Sequence, residues 1–341
     1  MSAPRLEIDL VKIGQNASVL VDLLRGAGIT VSGVTKAMLG LPDVARELLL
    51  AGVSGLADSR LENIQTMRKA NIQANMTLLR SPMIGQADQV VRNTDVSLNT
   101  ELDVISELSK AACALGRDHG VLLMVELGDL REGIMPRDLE NVVRRTLGFP
   151  NIVLKGIGTN LACRSGVVPD RTNMGELSKL ADRIDATFGP VLSIISGGNS
   201  SNLEWVLSGG ETGRINNLRL GEAILLGCDP LNRQPIANLH TDAITLVAEV
   251  IESKIKPSQP WGITAESAFG SVAPVTKEGD THQTILALGH MDTDPKGLTP
   301  PKGIKILGSS SDHLIVDSCQ GRLPIGAEIA FQLNYSALIR A

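Results

Sequence analysis

From residue 11 to about residue 228 the chain alternates short apolar, β-branched runs with stretches whose apolar residues recur at helical spacing. Such runs suit strands buried on both faces, as parallel strands covered by helices are. The pattern predicts strands near residues 29–34, 55–57, 76–79, 96–98, 121–126, 153–158, 191–195 and 215–219. Helices are predicted between them, among others over 11–25, 101–115 and 172–188, with Pro42, Pro136 and Pro169 near helix starts, where a missing N–H costs little. Eight strands alternating with helices is the number that closes a (β/α)8 TIM barrel. A doubly wound open sheet is the alternative the pattern leaves open. After Cys228 the texture changes: strand-like runs at 243–255, 283–288, 304–307, 313–316 and 328–333 follow one another without helices, separated by turn-rich KPSQPWG, DPKGLTPPKG and QGRLPIG. The expected organisation is therefore an α/β barrel domain, 11–228, followed by a C-terminal β domain, 229–341, which the opening strand within residues 1–10 can join.

Composition narrows the function. A chain of 341 residues exceeds one ordinary compact core, consistent with two domains. The formal charge of −5 leaves no basic stripe for a phosphate backbone, and two Trp, one Tyr and four Phe are too few for base-stacking platforms, so nucleic acid is not an expected partner. The opening MSAPRLEIDLVKIGQN lacks an apolar core of signal-peptide length, and no apolar run reaches about 18 residues, so a cytoplasmic protein without membrane association is expected. Cys113, Cys163, Cys228 and Cys319 show no CxxC spacing, which argues against a disulfide framework or structural zinc, and three of them are expected to be small buried apolar groups. No HxxxH pair occurs, and no catalytic metal is expected.

Three segments put reactive or anion-binding groups at the C-terminal mouths of predicted strands, where such barrels carry their chemistry. Lys36 follows ITVSGV at the first mouth; by position alone a solvated loop lysine is the commoner case. ISGGNSSN, residues 195–202, follows the seventh strand: Gly197 and Gly198 allow close backbone approach, and Asn199 and Ser200 with the helix start behind them offer donors to an anion, although a plain tight turn fits as well. LRLGEAILLG, residues 218–227, ends the eighth strand at Arg219, where a buried guanidinium would need acceptors, and exposes the backbone N–H groups of Gly221 and Glu222 beside it.

Taken together, VTKA, GGNSS and RLG resemble the alanine racemase family, whose members carry a lysine motif, an Asn-Ser phosphate turn and an Arg-x-Gly element in that order. EIDLVKIGQN resembles the family opening, LGDLREGI the element that ends in a substrate-side arginine, GIGTNLAC its Thr-His segment, and NYSAL the site of a phosphate-binding tyrosine. The resemblance implies pyridoxal 5'-phosphate in Schiff-base linkage to Lys36, with Asn199, Ser200, Gly221, Glu222 and Tyr335 around its phosphate, Arg219 at its ring nitrogen and Arg131 on the substrate carboxylate. It further implies a homodimer with shared active sites and an amino-acid substrate. In such chemistry the displaced lysine amine takes the α-proton while the ring stabilises the carbanion. An arginine partner keeps its own proton and leaves the ring nitrogen largely unprotonated, a weaker electron sink that favours racemisation over decarboxylation.

The chain also departs from the family. The second acid/base there is a tyrosine from the opposite subunit, but in GITAESAFG its place falls to Phe269, and the one tyrosine, Tyr335, is already assigned to phosphate. Asn160 stands where the family keeps a relay histidine. Candidates for the missing group are Cys163, Ser267, His290, Asp312 and His313. Cys163 comes first because a thiol, with an ordinary pKa of about 8.5, exchanges protons near neutrality. Asp312, in SSSDHLIVD, corresponds to the Met-Asp turn that the fold presents to the partner's site. KPSQPWG, SAFG, DPKGLTP and SSSDHLIVD resemble the ornithine racemase branch, implying a diamino acid such as ornithine or lysine, or alanine, with Asp292, Asp294 and Asp312 available to a distal ammonium. The competing readings are a barrel-fold amino-acid decarboxylase and a non-catalytic pyridoxal-phosphate-binding protein, the latter disfavoured by a β domain of more than about a hundred residues.

Overall fold

The structure is a computed structural model that describes residues 2–263, 265–266, 269, 279–319 and 321–341. It divides into two compact units: Leu10–His240, and Met1–Asp9 with Thr241–Ala341.

In the first unit eight parallel strands close a barrel in chain order: β2 (Thr30–Val34), β3 (Gly55–Asp58), β4 (Met76–Leu78), β5 (Val96–Asn99), β6 (His119–Met124), β7 (Ile152–Gly158), β8 (Ile194–Ser196) and β9 (Asn217–Leu220), with β9 pairing back onto β2. The TIM barrel expected from the alternation is thus the observed architecture, and the open sheet is not. All residues of β3, β5, β6 and β9 are buried, as strands covered by helices outside and packed side chains inside must be. The helix Leu10–Gly26 is tied to the unit through Asn16, whose fully buried amide donates to the carbonyls of Ile224 and His240, both at 2.9 Å, and accepts from His240 N at 2.7 Å. A buried amide satisfied at both ends fixes one arrangement, because any other leaves donors without partners. The strand expected at 121–126 lies two residues earlier: β6 stops at Met124, and Glu126 turns instead to the backbone N–H groups of Gly128, Leu130 and Arg131.

The second unit is a seven-stranded sheet built from β1 (Arg5–Ile8), β10 (Ile244–Pro257), β11 (Asp280–Ala287), β12 (Leu298–Thr299), β13 (Ile304–Ser309), β14 (His313–Ser318) and β15 (Glu328–Leu333). Its path is β12-β15-β10-β11-β14-β13, with β1 antiparallel to β10, the pairing open to the opening strand. In β15 buried and exposed residues alternate without exception, so one face packs and the other meets solvent.

Among the described residues no helix is long and apolar enough to cross a membrane. The cysteine expectation is corrected: Cys113, Cys163 and Cys319 are exposed and Cys228 is half-buried, all as free thiols. The error came from composition, since frequent burial of cysteine says nothing of thiols that fall on loops and helix edges.

Inside the barrel lies a polar cluster. His119, fully buried at the start of β6, meets Ser97 Oγ through Nε2 at 2.8 Å, and Asn99 donates to Ser97 O and Oγ at 2.8 and 2.9 Å. Ser97 Oγ can accept from both Asn99 and the ring or donate to the ring, and His119 Nδ1 has no partner among the described residues. Burial, reinforced by the charge of Arg117 and opposed by that of Asp95, lowers the His119 pKa from 6.5 to about 4. Above 6.5 the ring is neutral folded or unfolded and the stability is intact; as the pH falls toward 4 the unfolded chain takes up a proton that the fold refuses, and stability is lost. The shift corresponds to about 3 kcal/mol. Urea unfolding between pH 6.5 and 4 should therefore show a decline in stability that His119→Asn flattens; parallel curves for the two proteins would refute the assignment.

Candidate active site

Lys36 opens a short turn, Lys36–Met38, directly beyond β2, and its side chain is exposed at the barrel mouth. The residue before it is anchored. Thr35 is fully buried, donates its N–H to Ala57 O at 3.0 Å and its hydroxyl to Asp58 Oδ2 at 2.7 Å. Asp58 Oδ1 accepts in turn from Arg60 N at 2.9 Å and Asn63 Nδ2 at 3.0 Å. Burial pushes the Asp58 carboxyl above its ordinary value, against the hydrogen bonds from Thr35, Arg60 and Asn63. Behind Lys36 the turn closes on Gly40 at φ +68°, where a Cβ would lie 2.6 Å from Asn63 O, so glycine is required on both conformational and spatial grounds.

Arg219, on β9, is only 6% exposed. Its Nη groups donate to Ser196 Oγ, to Thr159 O at 2.8 Å and to Asn160 Oδ1 at 3.4 Å. Burial lowers its pKa to about 10, with the charge of Arg131 acting the same way and those of Cys163 and Glu132 opposing. It remains protonated at neutral pH and acts only as a donor. Among the described residues its Nε–H meets no acceptor.

The turn after β8 begins at Gly198, φ +143°, where a Cβ would fall 2.3 Å from Asn202 Oδ1. Asn199 then caps the turn Ser200–Asn202 by accepting from Ser201 N at 2.8 Å. Ser200 Oγ accepts from Ala223 N at 3.2 Å, which joins this turn to the segment after β9. Ser201 Oγ is buried with no partner among the described residues. An orphaned hydroxyl beside Ser200, and on the neighbouring strand β9 a buried guanidinium with one N–H unmet among the described residues, are what a group with an anionic end and a ring-nitrogen acceptor would satisfy; pyridoxal phosphate fits this set. Gly221 leads into the helix Glu222–Leu226. The Glu222 carboxylate pairs with Arg233, and burial raises its pKa against the charges of Arg233 and Lys36.

Beyond β7 the chain enters a loop held by Asp129, whose carboxylate accepts from the backbone N–H groups of Cys163 at 3.2 Å, Arg164 at 2.9 Å and Ser165 at 3.0 Å. Burial acts to raise Asp129, but the amides of Arg164, Ser165, Cys163 and Val167 outweigh it and hold the carboxyl below its ordinary value. The loop sets Cys163 Sγ 2.9 Å from Asn160 Nδ2 and 3.5 Å from Asn199 Nδ2. Arg131, on the loop after β6, forms a two-pronged pair with Glu132. Burial works against its charge, but the bond to Glu132, with the charges of Cys163 and Asp129, raises its pKa overall.

The barrel unit thus brings together Lys36, Arg131, Cys163, Asn199, Ser200, Arg219, Gly221 and Glu222. Tyr335, Asp312, His290 and His313 belong to the sheet unit, and Ser267 lies outside the described residues. Tyr335 opens the helix Tyr335–Leu338, and Asp312 is exposed between β13 and β14. Phe269 stacks on His290 with ring centroids 4.0 Å apart. Asp292 and Asp294 hold turns: Asp292 accepts from Gly289 N at 2.8 Å, and Asp294 from Lys296 N at 3.2 Å and Ser336 Oγ at 2.6 Å. Sequence reasoning missed Asp58, Asp129, Thr159, Ser196 and Ser201. For Asp58 a signal was present, an acid ending the predicted strand GLAD; for Asp129 there was none, since its partners lie 34 to 36 residues away.

The sequence profile described as alanine racemase, N-terminal domain, matches residues 8–229. An ornithine racemase of Acetoanaerobium sticklandii is 37% identical, over 99% of this chain and 96% of its own, and a lysine racemase of Thermotoga maritima is 36% identical, over 100% and 96%. Solved structures share the fold: alanine racemase from Streptomyces lavendulae superposes with a TM-score of 0.74 at 20% identity over 98% of this chain and 88% of its own. D-threonine aldolase from Filomicrobium marinum gives 0.76 at 16% identity over 99% and 88%. With a lysine at the first barrel mouth, a serine turn at the seventh and a buried arginine at the eighth, and with a profile match across the barrel, the chain belongs to the alanine racemase family.

Proposed function

We propose that this protein, an amino-acid racemase, interconverts the L- and D-enantiomers of a diamino acid, ornithine or lysine, as a homodimer, with pyridoxal phosphate held at the barrel mouth and Lys36 and Cys163 exchanging the α-proton. The substrate class rests on the two full-length relatives. The exchange partner rests on one observation: Cys163 Sγ is joined through the Asn160 amide to the buried Arg219, at the place where the family's relay histidine was expected.

Bound pyridoxal phosphate, which Lys36, Ser200, Ser201 and Arg219 would hold, supplies the electron sink for the pair left at the α-carbon. The remaining work falls to this chain's own residues. Arg131 orients the substrate carboxylate, exchanging its pairing with Glu132 for the ligand. Arg219 keeps its proton, because a pKa of about 10 lies well above neutrality, so it polarises without titrating. Inversion needs proton exchange on two faces of the α-carbon, since one base on one face returns the proton with retention. Lys36 Nζ, beyond β2, serves one face. Cys163 Sγ, beyond β7 and three strands away round the closed barrel, serves the other.

Borohydride reduction followed by peptide mass spectrometry should find the cofactor fixed on Lys36; a label on another lysine overturns its role. Cys163→Ala should lower kcat for racemisation in both directions by about a hundredfold or more while the visible cofactor absorbance persists. In that variant α-proton exchange should survive for the enantiomer that Lys36 serves. Near-normal racemisation would move the role to Ser267 or Asp312. With L-ornithine, L-lysine and L-alanine offered singly, D-product should form fastest from the diamino acids, and a preference for alanine would reject the substrate class.

A further inference from the structure

We infer that Asn160, together with Asn199, holds the Cys163 sulfur as a hydrogen-bond acceptor, so that Cys163 enters the reaction as the proton-accepting member of its pair with Lys36, and that Asn160 is the positioning residue linking this state to Arg219. The inference rests on the reading of Cys163 as the second acid/base.

The argument is one of amide polarity. A carboxamide has one donating and one accepting end, and which faces which is decided by neighbours that can only donate or only accept. Arg219 can only donate, so the end of Asn160 that faces it is Oδ1, and the end that faces the sulfur is Nδ2. Asn199 is fixed twice over: the end that meets Ser201 N must be the oxygen, and the end that meets Leu161 O at 2.9 Å must be the nitrogen. That same nitrogen also reaches Asn160 Oδ1 at 3.2 Å and Cys163 Sγ at 3.5 Å. The Asn160 N–H therefore points at the sulfur, with the Asn199 nitrogen beside it sharing its two hydrogens among three acceptors, and neither amide can be turned without setting donor against donor or carbonyl against carbonyl. Hydrogen bonds donated to a sulfur favour its anionic form.

Arg131 and Arg219 both interact with the Cys163 charge. Of the facing acids, Glu132 is paired with Arg131, and the Asp129 carboxylate is occupied by the backbone amides of residues 163 to 165. The histidine expected at position 160 by family resemblance titrates and can donate or accept; an asparagine does neither reversibly, so the polarity set by Arg219 reaches the sulfur unchanged. In turnover the Cα–H bond breaks and its proton forms S–H on Cys163, while an N–H bond of Lys36 breaks as the new Cα–H forms on the other face. The inverted pair is reset by the reverse reaction or by exchange with water.

The same chain supplies an internal standard. Cys113 is also exposed, but its neighbour Asn151 is turned the other way: Asn151 Nδ2 donates to the Asp118 carboxylate at 3.1 Å, so its Oδ1 faces Cys113 Sγ at 3.2 Å and the thiol must donate. Iodoacetamide labelling of the purified protein across a pH series, read by peptide mass spectrometry, should show Cys163 reacting at lower pH than Cys113. In Asn160→Asp, which keeps the acceptor for Arg219 but removes the donor to sulfur, Cys163 labelling near neutral pH should drop about tenfold, with its pH midpoint moved upward and that of Cys113 unmoved. The acidic limb of kcat/KM should move with it for one enantiomer only. Equal labelling midpoints for Cys163 and Cys113 in the wild-type protein, or an unmoved midpoint in Asn160→Asp, would overturn the inference whether or not the variant retains activity. Normal racemisation by Cys163→Ala would instead overturn the catalytic reading beneath it and leave the labelling result to stand alone.

Discussion

A guanidinium that is 6% exposed inside a barrel mouth keeps its charge and must be met by acceptors, and the rest of the site is arranged around that requirement. Arg219 finds them on two neighbouring elements: the Thr159 carbonyl and Asn160 beyond β7, and the Ser196 hydroxyl that ends β8. Ser196 is itself committed, its hydroxyl lying 2.9 Å from Asn217 Oδ1. Because Asn160 must offer its oxygen to the arginine, its nitrogen is left for Cys163, and the orientation of a side chain two bonds away is decided by a charge that does not move.

Two buried carboxylates do the corresponding work for the backbone. Asp58 anchors the residue before Lys36, and Asp129 gathers the amides around Cys163. Burying a carboxylate is unfavourable unless donors surround it, and the two differ in how far they are compensated: Asp58 stays shifted upward, whereas Asp129 is carried below its ordinary value by its amides. Lys36 and Cys163 are themselves exposed while the backbone beneath them is fixed. Loops that carry chemistry over a rigid barrel need this combination, since an exposed side chain on an unanchored loop would lose its geometry.

The departures from the family are coherent once placed in the fold. A phenylalanine stands where a proton-carrying tyrosine was expected and stacks on His290, and an asparagine stands where a relay histidine was expected. A titrating relay suits a phenol, which needs help to ionise; a non-titrating amide with fixed polarity suits a thiol, which ionises more readily.

The sequence by itself determined the barrel, the sheet that follows it and the placement of Lys36, Asn199, Ser200 and Arg219 at strand mouths. Buried parallel strands need continuous apolar runs, and helices need apolar residues at helical spacing, so local pattern carries both. It also showed, by counting, that the chain holds a single tyrosine, Tyr335. What only the tertiary structure decided were the partners: that Asp129 binds amides 34 to 36 residues away, that Asn160 turns its nitrogen to sulfur, and that most cysteines are exposed. Strand ends shifted by a few residues for the same reason, as with Glu126, which left the predicted strand to satisfy loop amides. Hydrogen-bond direction and burial depend on which loops the closed barrel brings side by side, and no local pattern of apolar and polar residues encodes that adjacency.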